Sequence, residues 1–410
     1  MTSAHSLTSV RRSLTRRLDS GPVLAIASGS FMAACAMNFW FPFLPLYMRE
    51  LGATSDANAL FWVSIAMTGQ GIARLVAGPV WGVLSDRHGR KLMYIRALFF
   101  ATVTTLIMVA ATEPWHIALA LTCQGLFSGF IPAAVALTSV TVPDSKLSKG
   151  LGTVTAAQYL GSTVGPSLGA VLAVGFGMWG AILASALLPA LGAVLVWFIV
   201  PRDSVAPAPK AATAAQEQQA SYRRLVTVQF AVAILICFVL YATGSMVRLM
   251  APLSLAGFDS DAATGAVGVA FTIAGVASVL GVVAVRRLSK PGWFRWLIAG
   301  GMALSAFVHV LLALSPDVAA YVVFFALTAL LQAALLPASN TLIAMSAPRD
   351  QRGTAFGIAA GAQAISFMAG PAAAAAFAAV SLTLGYLVLA GLFVVVAVFT
   401  LLALRVDRAE

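Results

Sequence analysis

The sequence predicts an all-α integral membrane protein with about twelve transmembrane helices. Three observations carry this. The chain of 410 residues is 60% hydrophobic and only 10% charged, with mean hydropathy +0.93, whereas a soluble domain carries about 25% charged residues. Apolar runs long enough to cross a bilayer, about 20 residues, alternate with short polar breaks. The basic residues of those breaks fall on one side of the implied topology.

The spans are read at 23–48, 57–84, 92–112, 116–140, 150–175 and 179–200, then at 225–250, 262–285, 294–314, 318–345, 353–378 and 383–404. Arg11, Arg12, Arg16 and Arg17 precede the first. Arg87, Arg90, Lys91 and Arg96 follow the second, and Lys146 and Lys149 the fourth. Arg202, Lys210, Arg223 and Arg224 follow the sixth. Arg286, Arg287, Lys290 and Arg295 follow the eighth, Arg349 and Arg352 the tenth, and Arg405 and Arg408 the twelfth. The opposite side holds only Arg49. Basic loops stay cytoplasmic, so both termini are expected in the cytoplasm. The breaks at Gly177 and Val380 are short and nearly uncharged.

Residues 1–22 read as a basic cytoplasmic tail, because the apolar run that follows is too long for a cleaved signal. Residues 201–224, with Pro207, Pro209, Gln216, Gln218 and Gln219, read as a cytoplasmic linker. It separates a six-helix bundle over 23–200 from a second over 225–404, and 405–410 form a closing tail. The halves repeat at a single offset. Gly52, Ser55 and Asp56 fall on Gly257, Ser260 and Asp261; Pro132 and Pro143 fall on Pro337 and Pro348; Gln158 falls on Gln363, and Gly165-Pro166 on Gly370-Pro371. Each match is weak alone, but together they indicate a parallel duplication, with two bundles related by a pseudo-twofold axis along the membrane normal.

The charged turn between spans 2 and 3 reads Gly82-Val-Leu84-Ser-Asp86-Arg87-His-Gly89-Arg90-Lys91. It resembles the loop between helices 2 and 3 of the major facilitator superfamily. The resemblance implies the major facilitator fold, a secondary transporter working by alternating access, and a conformational gate formed by Gly82, Asp86, Arg87, Gly89 and Arg90. In that family the aspartate closes an interdomain contact at the start of helix 11, here near Gly353; a carboxylate favours the positive end of a helix. Gly82 and Gly89 permit close approach and a tight turn. Arg87, Arg90 and Lys91 are expected to hold the loop to cytoplasmic partners and headgroups.

Span 5 contains Gly161-x-x-x-Gly165-Pro166-x-x-Gly169-Ala170. Small residues four apart let helices approach closely, and proline bends a helix by removing one hydrogen bond. The stretch resembles the fifth-helix motif of exporters in the drug:proton antiporter branch, with Ala170 where a further glycine usually stands. Asn38-Phe39-Trp40-Phe41-Pro42 in span 1 and Gly129-Phe130-Ile131-Pro132 in span 4 are similar to the MdtG-like multidrug exporters. The likeness extends over about residues 20–404. The fourth-helix motif departs from the pattern: Gln124-Gly125 is present, but the position of its usual arginine, associated with proton coupling, is Leu121.

No Asp or Glu lies in the middle of a span; Glu50, Asp56, Asp86, Glu113, Asp144, Asp259, Asp261 and Asp317 sit at ends or in loops. The chain embeds positive charge instead, at Arg74 and Arg248, with His309 in span 9. An intramembrane arginine is costly unless it meets water or a partner. Arg248 either attracts an anionic substrate or snorkels outward; Arg74 either faces substrate or braces the gate. Glu50, Asp86 and His309 are the titratable candidates for proton coupling; His309 has a suitable intrinsic pKa, although its span is peripheral in the family, which favours packing.

Substrate contact is expected from Asn38, Gln124, Gln158, Gln332, Asn340 and Gln363, with Phe39, Trp40, Phe127 and Tyr241 as an apolar wall, a mixture suited to amphiphiles. For each amide the alternative is a hydrogen bond between helices. Cys35, Cys123 and Cys237 lie in separate spans without ligand spacing, so neither a disulfide nor a metal site is expected. No Walker loop is present, and no nucleophile with a matching base, so an enzyme is not indicated. The net charge of +11 is scattered over short loops, which excludes a nucleic-acid partner. The expectation is therefore an exporter of amphiphilic small molecules in the inner (plasma) membrane, multi-pass, functional as a monomer within the lipid bilayer. It needs no cofactor, and the family resemblance implies the proton gradient as its energy source. The rivals are an anion-selective carrier of organic acids or siderophore-like metabolites, using Arg74 and Arg248, and a non-transporting membrane sensor. The short tails and linker argue against the sensor.

Overall fold

The computed structural model describes residues 3–127, 129–143, 147–202, 227–258, 263–288, 294–347 and 352–403, and the elements within them are all helical. Helix α1 spans Ser3–Trp40 and runs through a 3₁₀ turn, Phe41–Phe43, into α2, Leu44–Glu50. Pro42 and Pro45 explain the local change of pitch. Each lacks the N–H that an α-helix interior requires, and Pro45 is tolerated in the first turn of α2. Gly52, at φ +101°, turns the chain. Ser55 then caps α3, Asp56–His88, its Oγ accepting from the Asn58 N–H at 3.1 Å.

Gly89, at φ +93°, reverses the chain into α4, Arg90–Val109. The expected fourth span is two helices rather than one: α5, Pro114–Phe127, and α6, Phe130–Thr141. Gly129 separates them with left-handed backbone (φ 112°, ψ 40°), a conformation that costs glycine little. Helix α7, Leu147–Ile199, covers the fifth and sixth spans. It is bent where the sequence placed a short turn, at Gly177 (φ 70°, ψ 174°).

The remaining helices are α8, Val228–Phe258; α9, Ala263–Leu288; α10, Phe294–Ala313; α11, Val318–Ser346; α12, Arg352–Ala378; and α13, Leu382–Ala403. Asp317 caps α11 by accepting from the Ala320 N–H at 2.8 Å. Ten stretches among the described residues are long and apolar enough to cross a membrane, one of them being the 50-residue Gly150–Ile199. Counting its two arms separately and adding the 27-residue α12 accounts for the twelve crossings expected.

Contacts group the chain into two compact units. The first comprises Met1–Phe41, Ile72–Ala111 and Leu119–Ala208; the second comprises Pro42–Gly71, Thr112–Ala118 and Pro209–Glu410. Ile26, Tyr94, Leu98, Phe130, Leu137, Val154 and Val196 form the core of the first. The Tyr94 hydroxyl is fully enclosed there but satisfied: it lies 2.9 Å from Ser30 Oγ and donates to the Ile26 carbonyl at 3.1 Å. The core of the second unit gathers Ile236, Leu240, Ile298, Met302, Leu335, Ile343, Phe393 and Val396 from α8, α10, α11 and α13.

Candidate functional site

The glycines of the exporter-type motif seat α7 directly on the backbone of α1, within the first unit. A methyl group added at Gly161 would overlap the Phe31 carbonyl oxygen, and one at Gly169 the Phe39 carbonyl oxygen. At Gly165 it would stand 2.6 Å from the Cys35 carbonyl oxygen and 2.8 Å from the Asn38 Cβ. Their four-residue spacing places the three glycines along one face of α7. Pro166 is buried beside them. Small residues at this spacing therefore set the distance between two backbones, and no larger side chain fits.

The second unit repeats the device. Gly370 of α12 faces α8, where a methyl group would lie 2.9 Å from both the Ala242 carbonyl oxygen and the Ser245 Cβ. One turn earlier, Ser366 donates its hydroxyl to the Phe238 carbonyl at 3.0 Å. Gly165 and Gly370 are the pair that the internal repeat aligned.

In the loop from Gly82 to Lys91, Gly89 supplies the turn and is buried; Arg87 is exposed and Arg90 half-buried. The side chains at Gly82 and Asp86 lie outside the described residues, as does that at Gly353. Lys91 has a role that loop chemistry alone did not suggest. Its ammonium donates to the carbonyls of Trp197 at 2.7 Å and Val200 at 2.5 Å, and it sits 5.9 Å from the Trp197 ring centre. These carbonyls close α7, where a helix leaves acceptors unpaired and a cation is favoured. Lys91 thus caps a helix more than a hundred residues away.

Beside this loop lies a cluster that sequence reasoning missed. The Arg96 guanidinium lies 3.4 Å from the Trp81 ring centre, close enough for a cation–π contact. Trp81 donates Nε1–H to the Leu126 carbonyl at 2.7 Å, just before the break between α5 and α6. Phe127 stacks on Phe100 at 4.8 Å and lies 6.5 Å from Trp81. The available signal is an arginine inside an apolar run, Arg96 within 92–112.

The other sequence candidates of the first unit separate by environment. Asn38 is half-buried and donates to the Ala34 carbonyl one turn back, at 2.8 Å. Phe39 and Trp40 are buried. Gln124 is buried, with Leu121 enclosed beside it on α5. Gln158 is half-buried on α7, and its Nε2 is enclosed without a hydrogen-bond partner. Arg74 is exposed on α3.

In the second unit several candidates converge on one stretch of α8. Gln332 of α11 donates to the Leu240 carbonyl at 2.8 Å and occupies the space that Gly244 leaves open. Tyr241 pairs with Phe367 of α12, ring centres 5.9 Å apart. Half-buried Gln363 lies one turn before Phe367 on the same helix. Arg248 is exposed two turns beyond Tyr241. Asn340 is exposed on α11, and Glu50 is exposed at the end of α2. His309 is buried within α10, its Nδ1 at 2.7 Å from the Ser305 carbonyl and its ring 4.9 Å from Phe393.

The described residues hold no cluster of His, Cys, Asp and Glu suited to a metal ion. Cys35, Cys123 and Cys237 are free thiols. The arrangement is helical throughout the described residues. It combines close-packed helices with isolated polar and aromatic side chains along their faces, which suits reversible binding and movement of a small molecule.

The fold and these faces define a polytopic carrier, and comparison with known proteins is consistent with that. The family model described as Major Facilitator Superfamily matches residues 26–299 and 266–410. The chain belongs to this superfamily. It is 28% identical over 354 residues to the multidrug resistance protein MdtG of Yersinia enterocolitica, covering 86% of this chain and 85% of that one. Over 172 residues, 42% of each chain, it is 36% identical to the multi-drug resistance efflux pump PmrA homolog of Lactococcus lactis. Among solved structures, a bacterial homolog of the human lysosomal transporter Spinster superposes with TM-score 0.75 at 14% identity. It covers 94% of this chain and 97% of its own, a likeness of fold.

Proposed function

We propose that this protein is a secondary active transporter that expels amphiphilic drugs and related small organic compounds from the cell. The observation that carries the proposal is the seating of α7 on α1 through Gly161, Gly165 and Gly169, the helix motif that resembles those of exporters, now seen as a close backbone contact. The multidrug names of its relatives from Yersinia and Lactococcus support the same cargo class. The protein works in the inner (plasma) membrane as a monomer, with both termini cytoplasmic as the basic loops require.

Gly82, Asp86, Arg87, Gly89 and Arg90 act as the conformational gate, and the proton gradient supplies the energy. Of the proton-coupling candidates, Asp86 is favoured. Glu50 ends a short helix at the surface, and His309 is enclosed in apolar packing with its Nδ1 held at a backbone carbonyl. Substrate is held by residues such as Tyr241 and Gln363, where an aromatic face adjoins an amide.

Proteoliposomes loaded with a pH-sensitive dye test the coupling. Ethidium, a neutral amphiphile and an anionic amphiphile are each added to wild-type protein and to Asp86→Asn. Drug-evoked proton movement in the wild type, absent from Asp86→Asn, is the expected result. Transport of labelled drug with no proton movement for any compound would overturn the energy source while leaving efflux standing.

A further inference from the structure

Between Ile236 and Ala256, Arg248 is the single exposed residue of α8. Its neighbours one turn away are enclosed: Ser245 is 5% exposed, Ala251 0%, and Pro252 is buried. A lipid-facing helix looks different. Helix α13 presents Val394, Val395, Val398 and Leu402 together, all exposed and apolar. Arg248 lacks such a stripe around it, so its exposure is not that of an acyl-facing position.

No hydrogen bond or ion pair reaches Arg248 from the described residues. A guanidinium at this depth requires water or an anionic partner. Ser245, three residues earlier, packs against Gly370 of α12 instead, its Oγ enclosed without a hydrogen-bond partner. Two turns before Arg248, about 10 Å along the helix, Tyr241 and Phe367 form an aromatic wall.

We propose that Arg248 forms a carboxylate-binding subsite, with Tyr241 and Phe367 receiving the aromatic portion of the same ligand. Arginine meets a carboxylate through two parallel N–H donors. The ligand class is an aromatic amphiphile with a carboxylate about 10 Å from its ring system. This deepens the efflux proposal and rests on it: an acid would be held by charge and ring together, and a neutral amphiphile by the ring alone.

The test uses the full-length protein in phosphatidylcholine nanodiscs and two fluorescent probes, dansyl-aminohexanoate and its methyl ester. Wild type is expected to bind the acid about tenfold more tightly than the ester, the difference made by one charge-assisted pair. Arg248→Gln should abolish that preference, and Arg248→Lys should retain only part of it. A monodisperse species with an unchanged melting temperature establishes that each variant is folded; if Arg248→Gln fails to fold, Arg248→Lys decides. Equal affinity for acid and ester in the wild type, or a preference untouched by the variants, overturns the subsite. So does displacement of the acid by phosphatidylglycerol with the same Arg248 dependence, which would assign the position to a lipid headgroup. Efflux of the ester in proteoliposomes is measured alongside. Its presence with no acid preference removes the subsite alone, and its absence removes the transport reading beneath it.

Discussion

At the residue scale, the protein is most sensitive where glycine substitutes for distance. Gly169 lies so close to the Phe39 carbonyl oxygen that a methyl group has no room, and the obstacle is backbone rather than a side chain that could swing aside. Gly169→Ala is therefore expected to lower stability by about 1–3 kcal/mol, the usual cost of overpacking, and to lower the unfolding temperature in detergent. Gly175, six residues along the same helix, has nothing within 4 Å of an added methyl. Gly175→Ala should be neutral or slightly stabilising, because alanine is the better helix former. A thermal-shift comparison of the two variants checks this, and equal melting temperatures would mean that α7 does not rest on α1 as described.

At the element scale, the helices were largely legible in the sequence because length and hydropathy decide them. Charged breaks bounded most spans, and Gly177 marked the turn inside α7 even without charge. The break between α5 and α6 was not legible. Residues 116–140 hold no Asp, Glu, Lys or Arg, and a left-handed backbone at Gly129 leaves no trace in hydropathy. Trp81 takes up the Leu126 carbonyl beside that break across 45 residues of sequence. The partner of Lys91 lies 109 residues away, and no local pattern announces it.

The glycine motif was readable as a close-packing helix, whereas the identity of its partner, α1, came only from the fold. Among the amides, residue type could not separate Gln332, which braces α11 on α8, from Gln363, which lies one turn before Phe367 on α12. The Lys91 cap yields a prediction at this scale. Lys91→Met keeps the apolar stem but removes the cation from the carbonyls of α7. It should cost about 1 kcal/mol, seen as a lower unfolding temperature and faster amide exchange near Val200. Unchanged exchange there would refute the cap.

At the scale of the whole molecule, the duplication is structural as well as sequential. Gly165 on α7 and Gly370 on α12 each bring a later helix against the first helix of its own half, and each is followed by a buried proline, Pro166 or Pro371. Two copies of one helical device, the charged loop between spans 2 and 3, and relatives that carry multidrug names together make outward drug movement the central claim. The most direct measurement is uptake of labelled ethidium into everted membrane vesicles, whose interior corresponds to the outside of the cell. Energised vesicles bearing the wild-type protein should accumulate the drug. Dissipating the proton gradient should abolish that accumulation, and Asp86→Asn vesicles should show none. Accumulation no greater than in vesicles lacking the protein, or drug driven out of everted vesicles on energisation, would contradict the assignment as a drug exporter.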